Sequence, residues 1–143
     1  MQYFKHNNLY VVRLDHCEKI RETLMKFLEQ EKIFAGVLTG LGAVCQAEIA
    51  HYPLSEKKYN TKNFEGEYEV TNITGNVSKV EDKPFIHMHI TLGDNEYRLF
   101  GGHLMEGTAS PTLEIHLTSL PGGLTREQDE FTGLKLLSFC DLP

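Results

Sequence analysis

Apolar residues recur at helical spacing in one stretch of the chain, between residues 16 and 31. The apolar positions of this stretch are Ile20, Leu24, Phe27 and Leu28. Spacings of three and four residues place such side chains on one face of a helix. Asp15, followed three positions later by Glu18, forms a capping-box pattern just before them. The pattern therefore predicts one amphipathic helix from about residue 16 to 31.

Elsewhere apolar and polar residues alternate, which is typical of half-buried strands. The predicted strands cover residues 8–14, 34–39, 43–52, 67–74, 85–92, 96–101 and 112–120. Gly40-Leu41-Gly42 joins two of these strands, and Gly93-Asp94-Asn95 is predicted to be a hairpin turn. Residues 53–65 are predicted to form a loop, and residues 125–128 a helical turn. Together these elements predict an α+β fold dominated by antiparallel strands, with the helix packed on one face of the sheet.

Length and charge narrow the classes of function. The 143 residues are expected to form a single domain over 1–143, and no window approaches the roughly 20 apolar residues of a membrane span. Twenty acidic residues against fourteen basic ones give a net charge of −6, which disfavours unaided binding to a phosphate backbone.

The N-terminus lacks the layout of a signal peptide, so we expect a cytoplasmic protein. Cys17, Cys45 and Cys140 form no CxxC pair and fit reduced, mostly buried thiols.

The segment FIHMHITL, residues 85–92, carries the candidate chemistry. In a strand, one face would hold the core residues Ile86, Met88, Ile90 and Leu92. His87 and His89 would share the opposite face, about 7 Å apart at roughly 3.3 Å per residue. From that separation two imidazole rings can converge on one metal ion.

A third imidazole follows the predicted turn. If the chain reverses at Gly93-Asp94-Asn95, the next strand runs beside residues 85–92 and ends in Gly101-Gly102-His103. These glycines permit a close backbone approach, or a bulge that directs His103 towards the histidine pair. Three neutral histidines with an open position match catalytic-type zinc sites, and imidazole also suits nickel, copper or iron. The alternative is a solvent-facing histidine cluster on an exposed sheet face.

Glu114 and His116 share one face of the predicted strand 112–120. Glu114 is a candidate catalytic residue, which would either orient a ligand imidazole or act as a general base on bound water. The alternative is that the two residues form the solvated face of a half-buried strand.

Four segments, in the order found here, resemble the plants-and-prokaryotes-conserved (PPC) domain in its stand-alone prokaryotic form. They are FAGVLTGLGAVCQAEIAHY, GEYEVTNITGNVS, HMHITL and FGGHLMEGTASPTLEIHL, of which the HxH followed by GGH is the most specific part. The resemblance implies a curved, mostly antiparallel sheet and a homotrimer. It also implies a DNA-binding label, which derives from plant relatives that carry a separate basic AT-hook. This chain contains no such hook.

The fold resemblance extends, more distantly, to acetolactate decarboxylase, which holds zinc with an HxH pair and a further histidine downstream. Carried over by position, those ligands fall on His87, His89 and His103. We therefore expect a trimeric domain with a three-histidine site for a divalent metal, zinc being favoured. Direct DNA binding should be weak or absent, and any association with DNA should involve protein partners that themselves contact it. The alternative is a metal-dependent lyase or hydrolase that uses Glu114.

Overall fold

The computed structural model describes residues 1–139, which form eight strands and one helix. The helix is α1 (Ile20–Glu31). The strands are β1 (Gln2–His6), β2 (Leu9–Leu14), β3 (Gly36–His51), β4 (Asn60–Val80), β5 (Lys83–Gly93), β6 (Leu99–Ser119), β7 (Thr125–Gln128) and β8 (Lys135–Ser138). Cys140, one of the three cysteines considered above, lies outside the described residues.

All eight strands belong to one sheet, which curls back on itself. Strand β3 pairs with β4 and β6, and strand β5 pairs with the same two, so that four antiparallel strands form a ring. Strands β1 and β2 extend the sheet beyond β6, while β7 and β8 extend it beyond β4. The β4–β7 pairing, at Lys79 and Thr125, is parallel. The predicted α+β class, with a curved, mostly antiparallel sheet and one helix packed on it, is confirmed.

One hydrophobic cluster joins the helix to the inner face of the sheet. The helical residues predicted from their spacing are at most 1% exposed, and so are the four predicted core residues of β5. Burying a side chain of this size contributes about 1.5–3 kcal/mol. Because the β5 core positions alternate with Phe85, His87 and His89, these three residues face outwards.

The helix begins at Ile20, about four residues later than the capping-box pattern predicts. The Glu18 carboxylate does accept a hydrogen bond from the Asp15 backbone N–H, at 2.8 Å, as that motif requires. The intervening backbone, however, pairs with β6. The Cys17 N–H donates to the Ala109 carbonyl oxygen at 2.9 Å, and the Ala109 N–H donates to the Glu18 carbonyl oxygen at 3.0 Å. These long-range hydrogen bonds hold the segment outside the helix.

Two pairs of predicted strands are each one long strand. Gly40-Leu41-Gly42 is a bulge within β3, where the register against β4 shifts. Gly42 has a φ of 147°, and a Cβ there would clash with the Thr112 carbonyl oxygen, so this position requires glycine. In the same way, the predicted strands 96–101 and 112–120 overlap the two ends of β6, although residues 96–98 belong to the turn before it.

Three further elements differ from the sequence-based predictions. Residues 125–128 form β7 and not a helical turn, because they pair with β8 across a hairpin. The Asp129 carboxylate holds that hairpin turn by accepting hydrogen bonds from the N–H and the hydroxyl of Thr132, both at 2.7 Å. The predicted loop 53–65 ends early, because β4 begins at Asn60 and pairs with β3. Strand β1, which the sequence pattern did not indicate, pairs with β2.

The two described cysteines are free thiols. Cys45 is half-buried, whereas Cys17 is exposed, so the expectation of a buried thiol is wrong for Cys17. Within residues 1–139, no helix has the length and apolar character needed to cross a bilayer.

Candidate metal centre and adjoining cleft

The candidate site lies at the point where strands β5 and β6 separate, which we call the fork. The antiparallel pairing of these strands runs from their connecting turn to the pair His89–His103 and stops there. Gly102 allows β6 to approach β3 closely at this point, since a Cβ on it would lie 2.8 Å from the Ala50 carbonyl oxygen. The last pair of the ladder therefore places two histidines from different strands side by side.

His87, His89 and His103 form one group, the histidine cluster. One nitrogen atom from each lies within 4.8 Å of the others. The ring centroids of His87 and His103 are 5.0 Å apart, those of His87 and His89 are 5.1 Å apart, and those of His89 and His103 are 5.7 Å apart. His87 and His103 are half-buried, and His89 is exposed. The Tyr59 ring stacks on His103 at a centroid distance of 5.1 Å and so restricts its orientation.

Burial keeps the two half-buried rings neutral at pH 7. Loss of hydration, together with the smaller effects of His87, His89 and Arg21, lowers the pKa of His103 to about 4. Loss of hydration is also the main reason that the pKa of His87 is lowered. The positive potential of His89, Arg126 and Arg21 makes a smaller contribution in the same direction. Neutral imidazoles carry the lone pairs that metal coordination requires.

The donor set fits a divalent metal ion. Within residues 1–139, the ring nitrogens of the histidine cluster form no hydrogen bond with another protein group, so each ring has a lone pair available. Tetrahedral zinc lies 2.0–2.1 Å from each nitrogen, which places two ligand nitrogens roughly 3.4 Å apart. Because the nitrogens lie within 4.8 Å of one another, the rings would have to close by about 1.4 Å at most.

A cleft of about 430 Å³ opens beside the histidine cluster. Its floor consists of outward-facing residues of β5 and β6, namely Phe85, His87, His103 and Met105. The hairpin of β7 and β8 forms one wall, and Tyr59 contributes to another. The Tyr52 hydroxyl donates a hydrogen bond to the Thr132 carbonyl oxygen at 2.9 Å. This bond ties the segment between β3 and β4 to the hairpin turn.

Arg21 reaches the cleft from the first turn of α1. Lys19, at the N-cap position, makes no side-chain capping hydrogen bond. Glu106 of β6 takes that role, because its carboxylate accepts hydrogen bonds from the backbone N–H groups of Arg21 and Glu22 at 2.7 and 3.2 Å. The Arg21 guanidinium donates from Nη1 to the Ile86 carbonyl oxygen at 2.9 Å. The helix start is thus fastened to both strands that separate at the fork.

Arg126 reaches the cleft from β7. Its Nε donates a hydrogen bond to the Ser78 hydroxyl at 2.8 Å, and Nη2 donates to the Asn76 side-chain oxygen at 2.9 Å. Its Nη1 donates to the Lys135 carbonyl oxygen at 2.7 Å. Burial lowers the pKa of Arg126, although a guanidinium remains charged at neutral pH. The hydrogen bonds hold this cation in a single position over the outer face of β4.

Glu114, the candidate catalytic residue, lies away from the histidine cluster. It is eleven residues further along β6 than His103, a contour of roughly 35 Å, and it pairs in register with Arg13 and Leu41. Glu114 and His116 are exposed, and neither lines the cleft. The structure therefore brings the three predicted histidines together without Glu114.

Arg21, Arg126 and Tyr59 are cleft residues that sequence reasoning missed. Arg126 lies in the segment predicted as a helical turn, and Tyr59 lies in the predicted loop. Arg21 and Arg126 are held by hydrogen bonds to residues 65 and 48 positions away in the chain. No local pattern relates these residues to the histidines, because only the folded sheet brings them together.

The sequence model of the Plants and Prokaryotes Conserved (PCC) domain family matches residues 1–121. This range includes the histidine cluster and α1, while β7 and β8, which carry Arg126 and one wall of the cleft, lie beyond it.

Several solved structures share the fold over nearly the whole chain. A candidate DNA-binding protein from Bacteroides thetaiotaomicron superposes with a TM-score of 0.94 at 27% identity, covering 96% of each chain. A metal-containing protein from Archaeoglobus fulgidus has a TM-score of 0.87 at 32% identity, covering 95% of this chain and 96% of that one. A plant- and prokaryote-conserved (PPC) protein from Pyrococcus horikoshii has a TM-score of 0.87 at 30% identity, covering 99% of this chain and 96% of that one.

Two further similarities are partial. The curated Bifunctional protein GlmU of Synechococcus sp. is 27% identical over 128 residues, which are 87% of this chain and 19% of GlmU. The chain thus spans about a fifth of the length of the curated relative it matches. Acetolactate decarboxylase from Bacillus subtilis subspecies spizizenii has a TM-score of 0.56 at 15% identity, covering 77% of this chain and 52% of that one. At this identity the likeness concerns the fold alone.

Proposed function

Because the chain belongs to the Plants and Prokaryotes Conserved (PCC) domain family, we propose that it uses the outer face of the family's sheet to hold a divalent metal ion and present it to a small molecule. His87, His89 and His103 would be the protein ligands. The observation that carries this proposal is that the three ligand nitrogens lie within 4.8 Å of one another beside a cleft of about 430 Å³. The similarity to the metal-containing protein of Archaeoglobus fulgidus supports it.

Zinc is the favoured ion. Three neutral histidines that leave an open coordination position are the donor set of catalytic-type zinc sites. Such an ion supplies Lewis acidity to whatever occupies the open position. The protein itself contributes two things. The lowered pKa values of His87 and His103 keep these two rings neutral, and the cleft limits the size of the molecule that can reach the site.

A metal-dependent lyase or hydrolase is the second candidate function, and the cleft beside the histidines favours it. Glu114 would take no direct part, because it lies well along β6 from His103. Within residues 1–139, the cleft lining contains no carboxylate that could act as a general base in its place. Tyr59 contributes its hydroxyl group to the lining. Burial raises the pKa of this hydroxyl, so it stays protonated and can donate a proton at neutral pH. This candidate therefore predicts acid catalysis by Tyr59.

The assembly we propose is a homotrimer. Support comes from exposed apolar side chains on the outer face of the sheet: Val37 and Leu41 on β3 are 53% and 59% exposed, and Leu9 on β2 is 42% exposed. Val37 and Leu9 both pair in register with Thr118 of β6, so they lie in one row across three strands. Apolar surface of this kind is typical of an interface between subunits.

For DNA, we propose that the domain has little affinity of its own and associates with it through protein partners. The net charge of −6 opposes phosphate binding. Arg21, Arg126 and Lys135 line a cleft of about 430 Å³, which suits a small molecule and is far too small for a duplex backbone.

We also propose a cytoplasmic location, which the free thiols of Cys17 and Cys45 favour.

Metal analysis of protein purified without a histidine tag tests the main proposal. We expect about one divalent ion per chain, and loss of that ion in the His87→Ala/His89→Ala variant, which removes two of the three ligands. His116→Ala is the matched control, because His116 is an exposed histidine on β6 outside the histidine cluster. Stoichiometric metal in the double variant would contradict the assignment.

A further inference from the structure

We propose that the cleft binds a small organic carboxylate, whose carboxylate group is held by Arg21 and Arg126. This inference rests on the proposed function, because the same ligand would also meet the proposed metal ion at the histidine cluster. It is supported by the charges of the cleft, by the free donors of the two guanidinium groups and by the apolar part of the lining.

The charge of the cleft is opposite to that of the chain. The protein carries a net charge of −6, yet the charged side chains of the described lining are Arg21, Arg126 and Lys135, all cationic apart from the neutral histidines. Within residues 1–139, neither arginine forms an ion pair with a carboxylate. Partly buried cations without a counterion favour the binding of an anion, because their hydrogen bonds to neutral groups leave the positive charge itself unpaired.

Both guanidinium groups retain hydrogen-bond donors. A guanidinium has five N–H groups in a planar fork, and a carboxylate accepts two of them in parallel. Arg21 uses one donor, towards Ile86, so its other donors are available to a ligand. Arg126 uses three, which leaves one on each terminal nitrogen. These numbers allow a carboxylate to be bound without breaking an existing protein contact.

The two arginines are fixed around one aromatic ring. The ζ carbon of Arg126 lies 5.1 Å from the centroid of Phe85, and that of Arg21 lies 5.8 Å from it. Phe85 precedes His87 by two positions on the outward face of β5. The ring that both guanidinium groups contact is therefore the outward neighbour of His87, a proposed metal ligand. A molecule that reached the ion through the cleft would therefore share that cavity with both guanidinium groups.

The lining also contains apolar surface, which indicates an organic ligand. Phe85, Met105, Leu134 and Leu136 contribute side chains to the same cleft. A bare inorganic anion would leave these groups without a partner, whereas the carbon skeleton of a small carboxylate would cover them. A volume of about 430 Å³ accommodates a metabolite of modest size.

The proposal is tested by NMR titration of the arginine side-chain Nε–Hε signals with lactate, its neutral analogue lactamide and inorganic phosphate. We expect lactate to cause saturable shifts in the signals of Arg21 and Arg126, and lactamide to cause none. Arg21→Met and Arg126→Met should each weaken lactate binding about tenfold, because each removes charge-assisted hydrogen bonds. Arg13→Met is the control, since Arg13 is exposed on β2 and does not line the cleft.

Three results would overturn the proposal: equal binding of lactamide and lactate, unchanged lactate affinity in both arginine variants, or tighter binding of phosphate than of lactate. If the variants do not fold, the comparison of lactate with lactamide on the unmodified protein decides. The titration is run on metal-free and on zinc-loaded protein. Metal binding without lactate binding would refute this inference alone, and lactate binding to a protein that takes up no metal would refute the metal proposal alone.

Discussion

Replacement of Glu106 by alanine should destabilise the protein more than any comparable change on the exposed face of β6. The Glu106 carboxylate accepts hydrogen bonds from the backbone N–H groups of Arg21, Glu22 and Gly107, at 2.7, 3.2 and 2.8 Å. Two of these groups belong to the first turn of α1, whose N-cap residue makes no side-chain hydrogen bond. A carboxylate at this position also interacts favourably with the helix dipole. Its removal therefore leaves the helix start without its main partner.

The expected loss follows from the number and type of these bonds. Loss of an N-cap side chain costs about 0.5–2 kcal/mol, and hydrogen bonds to a charged group contribute about 1.5–3 kcal/mol. We expect Glu106→Ala to lower the free energy of unfolding by about 2–3 kcal/mol. For a protein of this size, that loss corresponds to a decrease in Tm of roughly 5–10 °C.

Urea and thermal unfolding, followed by far-UV circular dichroism, measure this effect. Glu114→Ala is the matched control, because Glu114 lies on the same strand and its exposed side chain forms no hydrogen bond or ion pair within residues 1–139. We expect that variant to lose no more than about 0.5 kcal/mol. Equal losses in the two variants would refute the view that Glu106 caps the helix and thereby positions Arg21.

Three further predictions concern protonation, assembly and DNA. Since the pKa of His103 is lowered to about 4, the unfolded chain binds a proton below pH 6.5 that the folded chain does not bind, so the metal-free protein should lose stability as pH falls towards 4. In urea unfolding at pH 5, His103→Gln should remove about 1 kcal/mol of this loss of unfolding free energy, a figure that allows for solvent screening. An unchanged pH dependence in this variant would contradict the prediction. Light scattering should report about three times the 16.3 kDa chain, and a monomer at all concentrations would exclude the trimer. Fluorescence anisotropy with random and AT-rich duplexes should give a Kd no tighter than about 10⁻⁴ M at physiological salt, and submicromolar, sequence-selective binding would contradict it.

The histidine cluster is the part of the site that could be predicted from the sequence, because its geometry depends on one hairpin. The alternation in residues 85–92 separates core residues from His87 and His89, and a short turn then fixes which residue of β6 lies opposite. His103 follows from that register. Residues close in sequence were thus sufficient to place all three imidazoles on one face.

The cleft could not be predicted, because its other residues come from distant parts of the chain. Arg126 contacts Ser78 and Asn76, which are 48 and 50 positions earlier, and these contacts depend on the placement of β7 beside β4. The helix start was misplaced for a related reason. The capping-box pattern at Asp15 is locally sound, but backbone pairing with Ala109 prevents the helix from starting there. In both cases tertiary contacts outweigh the local signal.

The long strands show a similar limit. A β-bulge at Gly40-Leu41-Gly42 shifts the alternation of β3, which makes one strand look like two separated by a turn. Strand β6 also contains register shifts against β3, and its two ends were predicted as separate strands. Periodicity identifies segments of constant register, and it cannot by itself distinguish a bulge from a turn.

X-ray absorption spectroscopy at the zinc edge of the zinc-loaded protein tests the central claim most directly, because it identifies the atoms bound to the ion. We predict three imidazole nitrogens at about 2.0–2.1 Å and one oxygen ligand in the remaining position. The imidazole scattering should decrease in His103→Ala. A sulfur ligand at about 2.3 Å, which would indicate a cysteine thiolate, would contradict the account. So would a spectrum that His103→Ala leaves unchanged.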